Sequence, residues 1–238
     1  MMKAVLLAAG KGERLGEVTQ SVPKPMLAVL GTPVIVHNIK MCQRFGITDI
    51  YINLHHLPEV IRGYLGDGKR FGVSITYSYE ETILGTAGGV KYLAKNLSGD
   101  RFFVIYADSY YNYDLGIIYN KHCKKGAEMS IALFELEDVR QSGVALLGQG
   151  NWIQKFLEKP RDNAIASHWV NAGIYLMEPE LLNLIPSGFS DFGQDIIPWY
   201  IINGYKVLGV KMPTPTIAMD TQALLDEAKR QVRRRNRL

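Results

Sequence analysis

The run Lys3-Ala-Val-Leu-Leu-Ala8, followed at once by Ala9-Gly10-Lys11-Gly12-Glu13-Arg14-Leu15-Gly16, limits most sharply what this chain can become. An apolar run of that length near the N-terminus reads as a buried strand. A glycine-spaced loop directly after it lets the backbone approach a ligand and turn successive N–H groups towards it. Lys11 and Arg14 place fixed cations in the loop, and Lys24 follows in Pro23-Lys24-Pro25. Glycines and three cations after a first strand read most simply as a polyphosphate site.

Two other phosphate motifs fail here. The dinucleotide fingerprint G-x-G-x-x-G has its third glycine replaced by Leu15, with Gly16 one residue late. Pro25 also breaks the helix that would lead to the ribose-binding acid. The stretch Gly63 to Lys69 mimics the ATPase loop, but Arg70 stands where a hydroxyl would hold magnesium, and the stretch follows a helix pattern. It reads as a surface turn.

Hydrophobic periodicity gives strands at 3–8, 49–54, 73–79, 101–106, 128–135, 143–148, 152–157, 169–176 and 206–211. Helices are expected at 33–45, 58–65, 86–96, 114–125, 178–184, 193–203 and 221–234. Pro33 suits a first helical turn, Gly46 a helix stop, and Asp220 or Thr221 a cap for the last helix. Alternating strand and helix in the first half predicts a parallel sheet covered on both faces. The second half is richer in strands, with a hairpin at Leu147-Gly-Gln-Gly150-Asn. No internal repeat appears, so no appended β-helix domain is expected.

Of 238 residues, 47% are hydrophobic and 21% charged, the balance of an ordinary globular chain. No apolar stretch reaches the length of a membrane helix, and no signal peptide is evident. Cys42 and Cys123 make neither a disulfide framework nor a zinc site, which points to a reducing, cytoplasmic setting. Much of the net charge of +4 lies in Arg230-Gln-Val-Arg-Arg-Arg-Asn-Arg237. That run reads as the solvated end of a helix with cations near its negative pole, so neither nucleic acid nor membrane is expected as a partner. The histidines at 37, 55, 56, 122 and 168 lack metal-ligand spacing, and no G-x-S-x-G elbow occurs. Tyr110, Tyr111 and Tyr113 read as packing between strand and helix.

Leu7-Ala-Ala-Gly-Lys-Gly-Glu-Arg-Leu15 with Pro23-Lys24-Pro25 resembles the signature loop of the sugar-1-phosphate nucleotidyltransferases, L-A-[AG]-G-x-G-T-R-[LM] followed by P-K-P. Glu13 replaces the usual threonine and the common proline after Leu15 is missing, but no cation or glycine is lost. Leu84-Gly85-Thr86-Ala87-Gly88-Gly89 is similar to the family's L-G-T-A stretch, and Asp108 ends a strand where the family has Gly-Asp, here with Ala107. Phe156-Leu-Glu158-Lys159-Pro160 resembles F-x-E-K-P, and Asn171-Ala172-Gly173 resembles the later N-[AG]-G. Asp191-Phe-Gly-Gln-Asp195 also recurs in members, where helix capping is the expected role. Asp220, in Met219-Asp220-Thr221, looks more like the M-D-T of cytidylyl members than the usual D-I-G-T.

The resemblance implies a Rossmann-like three-layer α/β/α sandwich around a mixed, mostly parallel sheet. It implies one domain over 1–238, with a nucleotide-binding half at about 1–112, a sugar-binding half at about 113–220 and a C-terminal helix at 221–238. The implied reaction transfers a nucleotidyl group from an NTP to a sugar 1-phosphate and releases pyrophosphate. Arg14, Lys24 and Lys159 are the implied catalytic cations. Leu7, Ala8, Ala9, Gly10, Gly12, Arg14, Glu80, Gly85, Thr86 and Asp108 are implied at the nucleotide. Lys24, Gly88, Glu158, Lys159, Asn171 and Gly173 are implied at the sugar phosphate, and Asp108 and Asp220 at Mg2+. Glu80 and Glu81 lie at the base-selecting place; a carboxylate accepts from guanine N1–H and N2–H2 together, which favours GTP and a mannose- or heptose-like sugar. Alternatives are a uridylyl enzyme for N-acetylmuramate 1-phosphate, a cytidylyl enzyme, and a non-catalytic NDP-sugar sensor. A homo-oligomer is compatible with all of them.

Overall fold

The computed structural model describes residues 2–12, 18–160, 167–219 and 221–235. The chain runs β1 (Lys3–Leu7), α1 (Val18–Ser21), β2 (Ala28–Val29), β3 (Thr32–Pro33), α2 (Val34–Arg44), β4 (Asp49–Leu54), α3 (Pro58–Leu65), β5 (Ser74–Tyr79), α4 (Gly85–Tyr92), α5 (Ala94–Leu97), β6 (Phe102–Tyr106) and β7 (Ser109–Tyr110). It continues α6 (Leu115–Lys125), β8 (Met129–Glu135), β9 (Gly143–Leu147), β10 (Ile153–Glu158), β11 (Trp169–Met177), α7 (Ile197–Ile202), β12 (Val207–Lys211), β13 (Ile217–Ala218) and α8 (Gln222–Arg235).

Two compact units result. The first comprises Met1–Ile83, Ile105–Asn112 and Thr216–Leu238; the second comprises Leu84–Val104 and Tyr113–Pro215. Residues 84–104 thus cluster with the second unit and 216–238 with the first.

In the first unit β1, β4 and β5 form a parallel ladder, with Val5 opposite Tyr51 and Asn53 opposite Ser78. Ala4, Val5 and Leu6 are fully buried, the continuous burial that a parallel strand covered on both faces requires. Helix α2 lays Ile35 and Ile39 into this core. It begins at Val34, one residue after Pro33, which sits in extended backbone as its cap. Gly46, at φ +87°, follows its end as expected. A smaller apolar cluster joins Leu27, Val29, Val34, Tyr110, Ile217, Met219 and Ala228, docking α8 and the short β7–β13 pair. Thr221 Oγ1 accepts from Leu224 N at 3.3 Å and caps α8; Asp220, the other expected cap, lies outside the described residues.

The second unit is mixed. β8 pairs antiparallel with β11 and parallel with β12, and β9 and β10 form the expected hairpin. β11 carries a register shift between Asn171 and Tyr175, with Gly173 at φ +77° inside it. The helix expected over 86–96 breaks at Leu93, whose ψ of 4° ends the α-ladder, so α4 and α5 are separate. Residues 179–184 close as a 3-10 turn, and a π-turn at Phe192–Ile196 precedes α7. Among the described residues no helix is long and apolar enough to cross a membrane. Both cysteines are free, Cys42 buried and Cys123 exposed.

Candidate nucleotide and sugar-phosphate sites

In the first unit the candidate residues gather where parallel strands end, the edge at which open α/β sheets bind ligands. Leu7 closes β1, Ala8 and Ala9 are buried, and Gly10 and Lys11 are exposed. The turn after β1 is held from the next strand: Ala8 N–H donates to Asn53 Oδ1 at 2.8 Å. The other end of that amide, Asn53 Nδ2, donates to Glu80 Oε1 at 2.7 Å. One side chain therefore ties the ends of β1, β4 and β5. Glu80 is only 2% exposed, so its carboxylate is fixed from within, while Glu81 is exposed.

Further along, Gly12 has φ +74° and its carbonyl accepts from Thr19 Oγ1 at 3.0 Å. His55 donates to Glu80 O and His56 to Thr19 O, each at 2.8 Å, so both rings brace loops. Lys24 enters through a 3-10 turn at Lys24–Met26 and is 6% exposed. Its Nζ lies 3.9 Å from Asp108 Oδ2. A buried ammonium needs a counter-charge, and this carboxylate, with 35% of its side chain exposed, still faces solvent. The pair puts one cation and one anion at the foot of a glycine loop. Met219 N–H donates to Asp108 O at 3.0 Å, which ties the segment after β13 to the same turn. Arg14 and Asp220 lie outside the described residues.

In the second unit Gly85, Thr86 and Gly88 open α4. Ala87 N–H and Gly88 N–H donate to Ser190 O at 3.0 and 3.1 Å, so these helix-start donors are capped by the protein itself. A Cβ on Gly85 would lie 2.4 Å from Ser190 O, and one on Gly88 2.3 Å from Gly188 O. Both glycines are there for this close approach. Thr86 Oγ1 donates to Asp191 Oδ2 at 2.7 Å and accepts from Phe192 N–H at 2.8 Å. Asp191 also accepts from Gly193 N–H at 2.8 Å and Gln194 N–H at 3.2 Å, the capping role expected of it. It faces Glu158, whose pKa is raised first by burial and then by the Asp191 charge, with Lys159 opposing.

Glu158 ends β10. Lys159 follows at φ +44°, a backbone state rare for a non-glycine residue, and its side chain is exposed. Across the β11 bulge, Asn171 Oδ1 accepts from Gly173 N–H at 2.9 Å and Nδ2 donates to Tyr175 Oη at 2.6 Å. Bulges re-aim side chains next to sites, and this one sets the Asn171 amide.

Sequence reasoning missed Asn53, Thr19 and the Ser190 carbonyl. Asn53 left one signal, a polar residue inside the apolar run of β4. The Ser190 carbonyl left none, being backbone.

The chain has known relatives. Mannose-1-phosphate guanyltransferase of Pichia angusta is 36% identical over 217 residues, 89% of this chain and 59% of that protein. UTP–glucose-1-phosphate uridylyltransferase of Synechocystis sp. is 36% identical over 225 residues, 89% of this chain and 58% of that protein. The chain thus spans a little over half the length of these curated relatives. A Bacillus anthracis structure with a provisional glucose-1-phosphate thymidylyltransferase name, solved with sucrose, superposes with a TM-score of 0.88 at 28% identity, covering 98% of this chain and 96% of that one. HddC of Yersinia pseudotuberculosis, solved with GMP-PN, shares the fold with a TM-score of 0.80 at 22% identity, over 98% and 100% of the two chains. A nucleotidyl transferase family profile matches residues 3–214, and the chain belongs to that family.

Proposed function

We propose that this chain transfers a nucleotidyl group from a nucleoside triphosphate to a sugar 1-phosphate. The Lys24–Asp108 pair beside the glycine loop carries this reading. An oxygen of the sugar phosphate attacks the α-phosphorus of the triphosphate in line; the new P–O bond forms as the bond to pyrophosphate breaks. Such chemistry asks for positioning and charge neutralisation and for no covalent nucleophile.

The Asp108 surroundings fit magnesium. A single part-exposed carboxylate leaves the other positions of the ion to phosphate oxygens and water, the usual way a protein holds it. Among the described residues no group of three or more His, Cys, Asp and Glu forms an all-protein cage. Asp108 would hold the ion, with Asp220 as second carboxylate. When bound, magnesium neutralises charge on the phosphates and stabilises the leaving pyrophosphate.

The remaining roles are the chain's own. Lys24 takes the phosphates that meet at the reacting phosphorus, and Arg14 the leaving β- and γ-phosphates. Gly10 and Gly12 let the loop backbone approach them. Lys159 pairs with the sugar phosphate, while Glu158 and Asn171 take sugar hydroxyls. GTP and a mannose- or heptose-like 1-phosphate form the first substrate pair, supported by the Pichia relative. UTP is the second reading, supported by the Synechocystis relative at equal identity.

The test is pyrophosphate release from the four ribonucleoside triphosphates and dTTP against a panel of sugar 1-phosphates, with and without magnesium. Magnesium-dependent release with GTP supports the first reading and release with UTP the second. Tight NDP-sugar binding without turnover overturns catalysis in favour of a sensor.

A further inference from the structure

Asn38 lies within α2 and is fully buried, at 0% exposure. Its Nδ2 donates to Ser109 O at 3.1 Å and, over a longer 3.5 Å, to Ala107 O. These carbonyls flank Asp108. A primary amide carries two N–H donors on one nitrogen and can serve two carbonyls at once. The amide orientation is determined as well, because its oxygen cannot face two carbonyls. That oxygen, Oδ1, is buried and has no hydrogen-bond partner.

An orphaned buried acceptor lowers stability and asks for a reason. Leucine is close in size and would remove the orphan, but it donates nothing. The asparagine is therefore explained by what its nitrogen holds. Around it the turn is tied at every carbonyl from 106 to 109: Tyr111 Oη donates to Tyr106 O at 3.1 Å and Met219 N–H to Asp108 O at 3.0 Å, while Asn38 supplies the other two. On the near side, Ala107 N–H donates to Leu7 O at 3.0 Å.

We infer that Asn38 is a positioning residue: it fixes the main chain on both sides of Asp108, so that the carboxylate stays beside Lys24 where the nucleotide and its metal are to be held. The inference rests on the activity proposed above.

Asn38→Leu keeps the volume and removes the donor. Asn38→Asp keeps the shape and sets acceptor oxygens against two carbonyls. Three readouts apply: kcat and KM for pyrophosphate release, Mn2+ affinity by electron paramagnetic resonance with nucleotide present, and hydrogen exchange of peptides covering 105–111. In Asn38→Leu, kcat falls about 10-fold or more and Mn2+ affinity falls about 10-fold, as expected when a charge-bearing group is misplaced. The KM for sugar 1-phosphate stays within about 2-fold because uniform binding is untouched. Exchange over 105–111 accelerates while far-UV circular dichroism is unchanged.

In an Asp108→Asn background the leucine adds less than about 2-fold, since it acts through a group already removed. Should Asn38→Leu fail to fold, Asn38→Ser retains one hydroxyl donor and gives intermediate losses. Unchanged kcat with unchanged exchange overturns the inference, and so does an equal loss in the Asp108→Asn background. If the wild-type chain transfers no nucleotide with any substrate pair, the activity reading fails by itself. Exchange at 105–111 then still decides whether Asn38 holds the turn.

Discussion

Replacing Gly12 with alanine separates the placing of a cation from the holding of the fold. Gly12 has φ +74°, where an L side chain is disfavoured by about 1–2 kcal/mol. A Cβ there would lie 2.9 Å from Lys24 Cγ, 3.0 Å from Thr19 Cγ2 and 3.2 Å from Lys24 Cε. The loop cannot back away freely, because the Thr19 hydroxyl holds Gly12 O at 3.0 Å. The Lys24 stem is the softer neighbour and yields. A shift at Cγ grows along the stem, and a displacement of about 1 Å at a catalytic group costs on the order of 100-fold in rate. A chain of this length loses about 2–4 °C in Tm per kcal/mol, so the backbone penalty amounts to about 2–8 °C. Pyrophosphate release read beside differential scanning fluorimetry gives both numbers on one sample. The expected pattern is a collapse of kcat with a modest fall in Tm. A kcat within about threefold of wild type alongside the expected Tm loss would show that the Gly12 contact does not place Lys24. An unchanged Tm would refute the backbone argument itself.

Gly10→Ala is the complementary case: a Cβ there meets nothing within 4 Å, so Tm should hold while the KM for NTP rises, because the methyl stands where phosphates approach the loop. Asn53→Leu removes the bonds to Ala8 N–H and Glu80 Oε1; at about 1.5–3 kcal/mol for losing a buried hydrogen bond to a carboxylate, Tm should fall by about 3–12 °C. Glu158→Gln tests electrostatics by chemical denaturation across pH. The Glu158 pKa is raised above the ordinary 4.5 by burial and Asp191, so the folded state binds this proton more readily than the unfolded state and loses stability as pH climbs through that interval. The glutamine variant should match wild type near pH 4, become the more stable protein as pH rises, and keep that margin above the folded pKa; a constant margin at every pH would contradict the cause given.

Much of this was legible in the sequence. Each expected long strand lies within one residue of its observed bounds, because buried strands write their period directly into the chain. Lys24 and Asp108 were singled out 84 residues apart and meet at 3.9 Å. What stayed hidden was long-range and small. Asn38 reaches a carbonyl 71 positions away, and Thr86 reaches an acid 105 positions away. Asn38 does not differ locally from an ordinary polar position, and the motif around Thr86 does not name its distant partner. The glycines of Leu84–Gly89 were visible, but not their reason. Gly85 and Gly88 lie against the backbone of Ser190 and Gly188, far away in sequence. The break at Leu93 and the assignment of 84–104 to the second unit follow from packing that periodicity does not record.

The most direct test is 31P nuclear magnetic resonance of the wild-type chain and Asp108→Asn, side by side, with saturating magnesium, GTP or UTP, and mannose or glucose 1-phosphate. The account predicts NDP-sugar and pyrophosphate signals for wild type. It predicts formation slowed about 100-fold or more in a folded Asp108→Asn, the scale of losing one electrostatic stabiliser. Equal rates for the two proteins would contradict the role of Asp108, and absence of product in every combination, extended to the full substrate panel, would contradict the proposed activity.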